Sequence, residues 1–357
     1  MRHVYLLSAI LLGCNASNGQ IAMDGGNAPP PDLAQPALGW AQSGLVSPSR
    51  DHHGTFVVEA NGAAFLYVIG GTDHFTSYLL DDVERAPIAA DGSLGNLSQV
   101  GKLPHKLASM GVVVVGDRVI IGGGVAPSST GAFTLAAETY VASVKADGTL
   151  GDWIPGPNLP SAREHLSLVA RDNNIYLIGG LVGKTGTADV ERATLAADGT
   201  LSDWIPLLRL PAERSHHASV IADGAVWVVG GLHGDPTTDG ASYNDVLRAA
   251  IHDDGSLDPW TVAATLPAAL STHSTSFYAG ALYVFGGLED DSTFVDTVRF
   301  AALAPDGSLG AWQTATPLPS ARGHVLETPI WRNHVYSAGG YDNDGLTLTG
   351  VVAGSFQ

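Results

Sequence analysis

The sequence predicts an all-β fold: a six-bladed β-propeller with four antiparallel strands in each blade. Two observations carry that prediction. An apolar run closing on a glycine pair recurs six times, and the two ends of the chain have complementary deficits. The runs end at Gly70-Gly71, Gly122-Gly123, Gly179-Gly180, Gly230-Gly231, Gly286-Gly287 and Gly339-Gly340, so the first glycines lie 52, 57, 51, 56 and 53 residues apart. A steady period near fifty marks a propeller or an array, in which each unit buries its apolar face against its neighbours.

The third unit displays the elements in order. Pro160-Ser161-Ala162-Arg163-Glu164-His165 leads in, and residues 166–170 read as a strand. Arg171-Asp172-Asn173-Asn174 supplies turn chemistry, and residues 175–178 form a second strand that reaches Gly179-Gly180. After a variable loop, residues 189–195 alternate as a third strand. Asp198-Gly199 then makes a hairpin, because Asp-Gly accepts the positive φ that tight hairpins require. Leu201 and Trp204 belong to the fourth strand, which ends at Leu210-Pro211. The hairpin recurs at Asp91-Gly92, Asp147-Gly148, Asp254-Gly255 and Asp306-Gly307. Its tryptophan recurs at Trp153, Trp260 and Trp312, with Leu97 in its place in the first unit. A tryptophan at one place in every four-stranded unit is expected to pack between neighbouring blades.

The termini provide an independent check. Ala37-Leu38-Gly39-Trp40 matches the Leu-Gly-x-Trp of a fourth strand, yet no first three strands precede it. After Gly339-Gly340 a third strand is expected near residues 346–352, and the chain then stops. The amino-terminal strand is therefore expected to complete the sixth blade, a three-plus-one closure that leaves no exposed sheet edge. Residues 37–357 form one propeller domain in this reading.

Tandem units with a hydrophobic-aromatic run, Gly-Gly and a later tryptophan resemble kelch repeats, and the resemblance covers about residues 37–357. It implies a kelch-type propeller. It also points to the start of each repeat, since kelch substrate adaptors grip ligands with residues at the corresponding histidine position on one face.

Composition narrows the function classes. Apolar residues make up 45% of the chain and charged ones 15%, with 44 glycines, which fits a turn-rich β protein and not a disordered one. Acidic residues outnumber basic ones 35 to 17, for a formal charge of −18, and such a surface repels nucleic acid. The single cysteine, Cys14, excludes an intramolecular disulfide.

Cys14 belongs to an address. Arg2 and a brief apolar stretch precede Leu11-Leu12-Gly13-Cys14, and the run is about half the length of a membrane-spanning helix. Residues 1–13 resemble a bacterial lipoprotein signal, which implies cleavage before Cys14 and lipidation of its thiol; an ordinary secretory signal that contains a cysteine is the alternative. Asn15 at the next position implies the outer membrane in a Gram-negative cell. Residues 14–36, with Pro29-Pro30-Pro31, read as a disordered tether. The expected location is the bacterial cell envelope by a lipid anchor, or the exterior if the signal is an ordinary one.

Candidate chemistry gathers where Pro-x-x-Arg-x-His opens a repeat. Arg163/His165, Arg214/His216 and Arg322/His324 fit it, and Arg50/His52 fits with one residue deleted after Pro48. The second unit has Leu107 and Ser109 in these places, and the fifth has Leu270 and Thr272 with His273 one beyond. These residues enter the innermost strands, so they are expected to ring one mouth of the central channel, a usual place for ligands. Four arginines there would suit carboxylates or sugar acids. The alternative is that they only bond backbone carbonyls of the adjacent blade. No metal site or cofactor is expected, because the histidines fall once per unit rather than in close pairs. The adjacent pairs His52-His53 and His216-His217 should point to opposite faces. Asp342-Asn343-Asp344-Gly345 echoes a calcium loop but lacks the closing glutamate, and reads as a turn.

Galactose oxidase, a kelch-type enzyme, needs a cysteine cross-linked to tyrosine, and the propeller region here has no cysteine. The Asp-Gly-x-Leu-x-x-Trp hairpins also differ from the Asp boxes of sialidases. The expected function is thus a non-enzymatic, monomeric binding module that takes a protein or carbohydrate partner through one face. The alternative is a carbohydrate-active enzyme resembling sialate mutarotases, with a carboxylate such as Asp51, Glu164 or Glu213 beside the ring arginines.

Overall fold

A computed structural model describes residues 38–73, 78–235, 240–290 and 292–357. The expected signal (1–13) and tether (14–36), with Cys14, lie outside the described residues. The described chain forms six four-stranded antiparallel sheets, and each sheet is one blade. Blade one shows the plan: Gly54–Ala60 innermost, then Ala63–Ile69, Asp82–Ile88 and Ser98–Lys102 outermost. The innermost strands of blades two to five are Gly111–Val115, Ser167–Arg171, Ala218–Ala222 and Ser274–Tyr278.

Blade six closes the ring as the termini demand. Ile330–Trp331, His334–Ala338 and Gly350–Phe356 come from the carboxyl end, and the amino-terminal strand Leu38–Leu45 pairs antiparallel with Gly350–Phe356. Trp40 lies opposite Gly354, and Gly44 opposite Val351. The third strand starts four residues later than the sequence suggests. Residues 346–349 instead fold back after the Asp342–Gly345 turn, with Thr347 bridging Tyr341 and the Leu348 N–H bonding the Gly340 carbonyl at 2.8 Å. Asp342 Oδ1 fixes the turn by accepting the N–H groups of Asp344 and Leu346 at 3.0 Å.

The second unit corrects a register. Its sequence reads Gly122-Gly123-Gly124, in which the period alone predicts the first two as the repeating pair. Gly122 ends the strand Arg118–Gly122, whereas Gly123 and Gly124 carry the positive φ of 66° and 102° found at every other pair. Only glycine accepts the second of these angles without strain.

The reason for the pairs is a seam between blades. The second glycine of each pair donates its N–H to a carbonyl of the following blade: Leu107, Arg163, Arg214, Leu270, Arg322 and finally Arg50, at 2.8–3.0 Å. A Cβ on the first glycine would lie 2.3–2.7 Å from that same carbonyl oxygen. The tryptophans pack between blades as expected. The indole N–H groups of Trp204, Trp260 and Trp40 bond the carbonyls of Pro157, Leu208 and Thr316 in the preceding blade. Tyrosines of the second strand bridge in the other direction. Tyr176 and Tyr336 donate to Gly255 and Gly92, in the Asp-Gly hairpins of the next blade, at 3.1 and 2.8 Å.

Candidate histidine-ringed mouth

The entry to each innermost strand places one residue at the channel axis: His52, Ser109, His165, His216, Thr272 and His324. All six have a left-handed backbone, with φ between 49° and 56°. That conformation is uncommon for residues other than glycine and marks a constrained position. A closed circle of hydrogen bonds holds it. Each of the six N–H groups bonds the carbonyl of its counterpart in the preceding blade at 2.8–3.2 Å, and His52 to His324 completes the circle.

This collar turns the side chains toward one another. His165 stacks on His216 with ring centroids 3.6 Å apart, and His52 lies 4.1 Å from His324 and 5.0 Å from His165. Ser109 Oγ is 3.4 Å from His165 Nε2. Carboxylates stand behind two of the rings: Asp51 Oδ1 is 3.0 Å from His52 Nδ1, and Glu164 Oε2 is 3.4 Å from His165 Nδ1. Their charges divide the histidines. Burial alone would lower the His52 pKa, but Asp51 and, more weakly, Glu164 carry it above the ordinary value. Burial, reinforced by neighbouring histidines, holds His165 well below that value and His216 at about 3. Burial pushes the Glu164 carboxyl up, only partly offset by His52 and Ser109.

Above the collar opens a cleft of about 390 Å³, within the size range of small-ligand sites. His52, Ser109, Glu164 and His165 border it, with Val125 and the hairpin strand Phe133–Leu135 as an apolar wall. Below the collar a cavity of about 20 Å³, room for a water, is bordered by His216, His273 and Glu327. Glu327 Oε2 accepts the Thr55 N–H at 3.0 Å, tying blade six to blade one. Burial drives its pKa well above the carboxylate range.

The structure separates the eight candidate residues into two sets. The four histidines converge on the axis. The four arginines are buried to within 4% of complete and serve the blade interiors. Each donates to the carbonyl of the first glycine of its own blade: Gly70, Gly179, Gly230 and Gly339, at 2.9–3.1 Å. Three also grip a carboxylate on their own third strand: Arg50 with Glu84 at 2.9 Å, Arg163 with Glu191 at 3.1 Å and Arg214 with Asp245 at 2.8 Å. The carbonyls they bond lie within their own blade rather than in the adjacent one. The reason lies in the backbone: two residues apart on a regular strand would share a face, but the left-handed φ of 49–55° at each histidine breaks that alternation, so histidine turns to the channel while arginine turns into the blade.

The next residues divide in the same way. His53, His217 and His273 leave the axis, and their rings lie against Gly339, Gly179 and Gly230 of the preceding blade. Burial holds His53 and His273 at about 3. The spacing argument against close histidines is also overturned. Once-per-unit spacing disperses residues along a sequence, but a toroid brings every equivalent position to one axis. Sequence reasoning passed over Glu327, because no other unit has an acid at its place.

No family model matches the chain. Among known proteins it is similar to the Kelch-like protein terF of Aspergillus terreus, 28% identical over 244 residues, 67% of this chain and 50% of that protein. It is similar to mouse Kelch-like protein 35, 28% identical over 189 residues, 53% and 29% of the two chains. It is also similar to beta-scruin of Limulus polyphemus, 22% identical over 254 residues, 70% and 26% of the two chains. The chain thus spans half or less of these relatives' length. Among solved structures, that of YjhT aligns over 86% of this chain and 95% of its own, with a TM-score of 0.68 and 11% identity, a likeness of fold.

Proposed function

Since the chain is a kelch-repeat β-propeller, we propose that it acts as a binding module whose partner seats on the face bearing the histidine collar. The observation that supports this reading is the cleft of about 390 Å³, with a polar floor held by a closed circle of backbone bonds and an apolar wall. A pre-organised floor lowers the ordering cost of binding. The partner is a protein or a glycan, and the setting is extracytoplasmic, with Cys14 as the lipid-anchoring residue; these rest on the amino-terminal pattern and on the resemblance.

A second reading is an enzyme resembling sialate mutarotases. Glu164, raised in pKa and beside His165 in the cleft, favours it as an acid–base group. The burial of Arg50, Arg163, Arg214 and Arg322 weighs against it, since none of the four reaches the cleft to hold a sugar acid.

The test uses substitutions the collar tolerates. Ser109 shows that serine fits a collar position, so His52→Ser and His165→Ser should fold. Capture of a partner from the native envelope should fall at least tenfold in that double variant. Asp198→Ala, in a hairpin on the opposite face, should leave capture unchanged. Capture lost only with Asp198→Ala would sink the assignment of the face. Acceleration of sialic-acid anomer exchange in NMR, lost in Glu164→Gln, would favour the enzyme.

A further inference from the structure

We propose that the collar is a binding site for a divalent first-row transition metal of the zinc type, with His52, His165 and His324 as ligands. Each of these residues offers one ring nitrogen, and the three nitrogens lie within 4.8 Å of one another. Three imidazoles around a zinc ion at about 2.0–2.1 Å place their nitrogens about 3.3 Å apart. The rings therefore need to close by roughly 1 Å each, within reach of side-chain rotation at that bond length.

Three further features point the same way. His52 and His165 each have a carboxylate behind Nδ1, from Asp51 and Glu164. A carboxylate within reach of that nitrogen is the outer partner that orients metal-bound histidines, leaving the other ring nitrogen for the ion. The two carboxylates also offset the charge of a dication. The backbone under all three residues is locked by the hydrogen-bonded collar, so little ordering is required on binding.

Coordination by three imidazoles leaves a fourth position. His52 and His165 border the large cleft, so that position faces the space where a partner or ligand would sit. Such an open site takes water or an oxygen donor such as a carboxylate. His216 stands outside the set: it stacks on His165, and its Nδ1 lies 2.8 Å from Ser215 Oγ. The imidazole set excludes magnesium and calcium, which prefer oxygen ligands. The metal site and the partner-binding reading are independent, because metal alone reports on the collar.

The experiment is a zinc titration of the full chain carrying Cys14→Ser, stripped with chelator and followed by calorimetry. One equivalent of zinc should bind. The double variant His52→Ser/His324→Ser should weaken binding at least 100-fold, and Asp51→Asn by about 10–100-fold. His252→Ser, which alters an exposed histidine paired with Asp258, should change nothing. If a collar variant fails to fold, cobalt added to the unsubstituted collar should shift or broaden the imidazole NMR signals of His52, His165 and His324 and spare His252. No stoichiometric binding, affinity indifferent to the double variant, or cobalt effects centred elsewhere would each overturn the proposal.

Discussion

Arg163 holds three parts of its blade at once. Its guanidinium meets the Gly179 carbonyl and Glu191, while its own carbonyl receives the Gly124 N–H of the preceding blade. Glu191 is almost fully buried, so removing its partner strands a charge away from water. Arg163→Ala should therefore cost about 3–5 kcal/mol. Arg322 occupies the same place with no carboxylate partner among the described residues, only Ser320 and the Gly339 and Gly350 carbonyls. Burial lowers its pKa to about 10, which leaves it charged at neutral pH. Arg322→Ala strands a carbonyl and no charge, and should cost about 1–3 kcal/mol. Urea unfolding of the two variants checks the order; equal losses would mean that the ion pair contributes nothing beyond the carbonyl contact. The repeat spacing made these arginines visible, but nothing in a sequence distinguishes a guanidinium facing a channel from one folded back on its own sheet.

Among the elements, the glycine pair is the joint between blades. Gly230 has φ of 51°, and a Cβ there would stand 2.4 Å from the Leu270 carbonyl of blade five. Gly280 also has positive φ, 78°, but nothing lies within 4 Å of its would-be Cβ. Alanine at either site pays a left-handed backbone penalty of about 1 kcal/mol. Only Gly230→Ala adds overpacking against a neighbouring blade, about 1–3 kcal/mol more. Thermal melts should accordingly separate the two, with Gly230→Ala the less stable; parity would show that the seam can shift to admit a methyl group. The run of apolar residues before each pair was legible because strand propensity is local. The phase of Gly122-Gly123-Gly124 was not, since three glycines in a row leave the pair undefined until a neighbouring carbonyl selects it.

For the whole molecule, protonation ties stability to pH in two opposed ways. His53, His216 and His273 stay neutral in the fold down to about pH 3, whereas the unfolded chain takes up protons near pH 6.5. The unfolded state then holds more protons, so stability falls as pH drops from about 6.5 toward 3. Glu327 runs the other way, as do His52 and Glu164, whose pKa values are also raised in the fold. The raised pKa of Glu327 keeps a proton in the fold that the unfolded chain gives up above about 4.3, so its contribution is intact below that value and is lost as pH rises. Glu327→Gln keeps an oxygen for the Thr55 N–H and removes the ionisation. It should raise Tm at pH 7, with the gain vanishing near pH 4, and a gain independent of pH would exclude this account.

Read from residue order alone, the chain determines six units, their strand pattern, the Asp-Gly hairpins, the inter-blade tryptophans and the closure of blade six by Leu38–Leu45. Each of these depends on local propensity or on turn chemistry, or on counting strands at the two ends. Tertiary structure decided which side of each entry segment faces the axis, sent the arginines into the blades and drew His52, His165 and His324 from three blades into one cluster. Those outcomes follow from ring closure, because equivalent positions become neighbours only when six sheets share an axis.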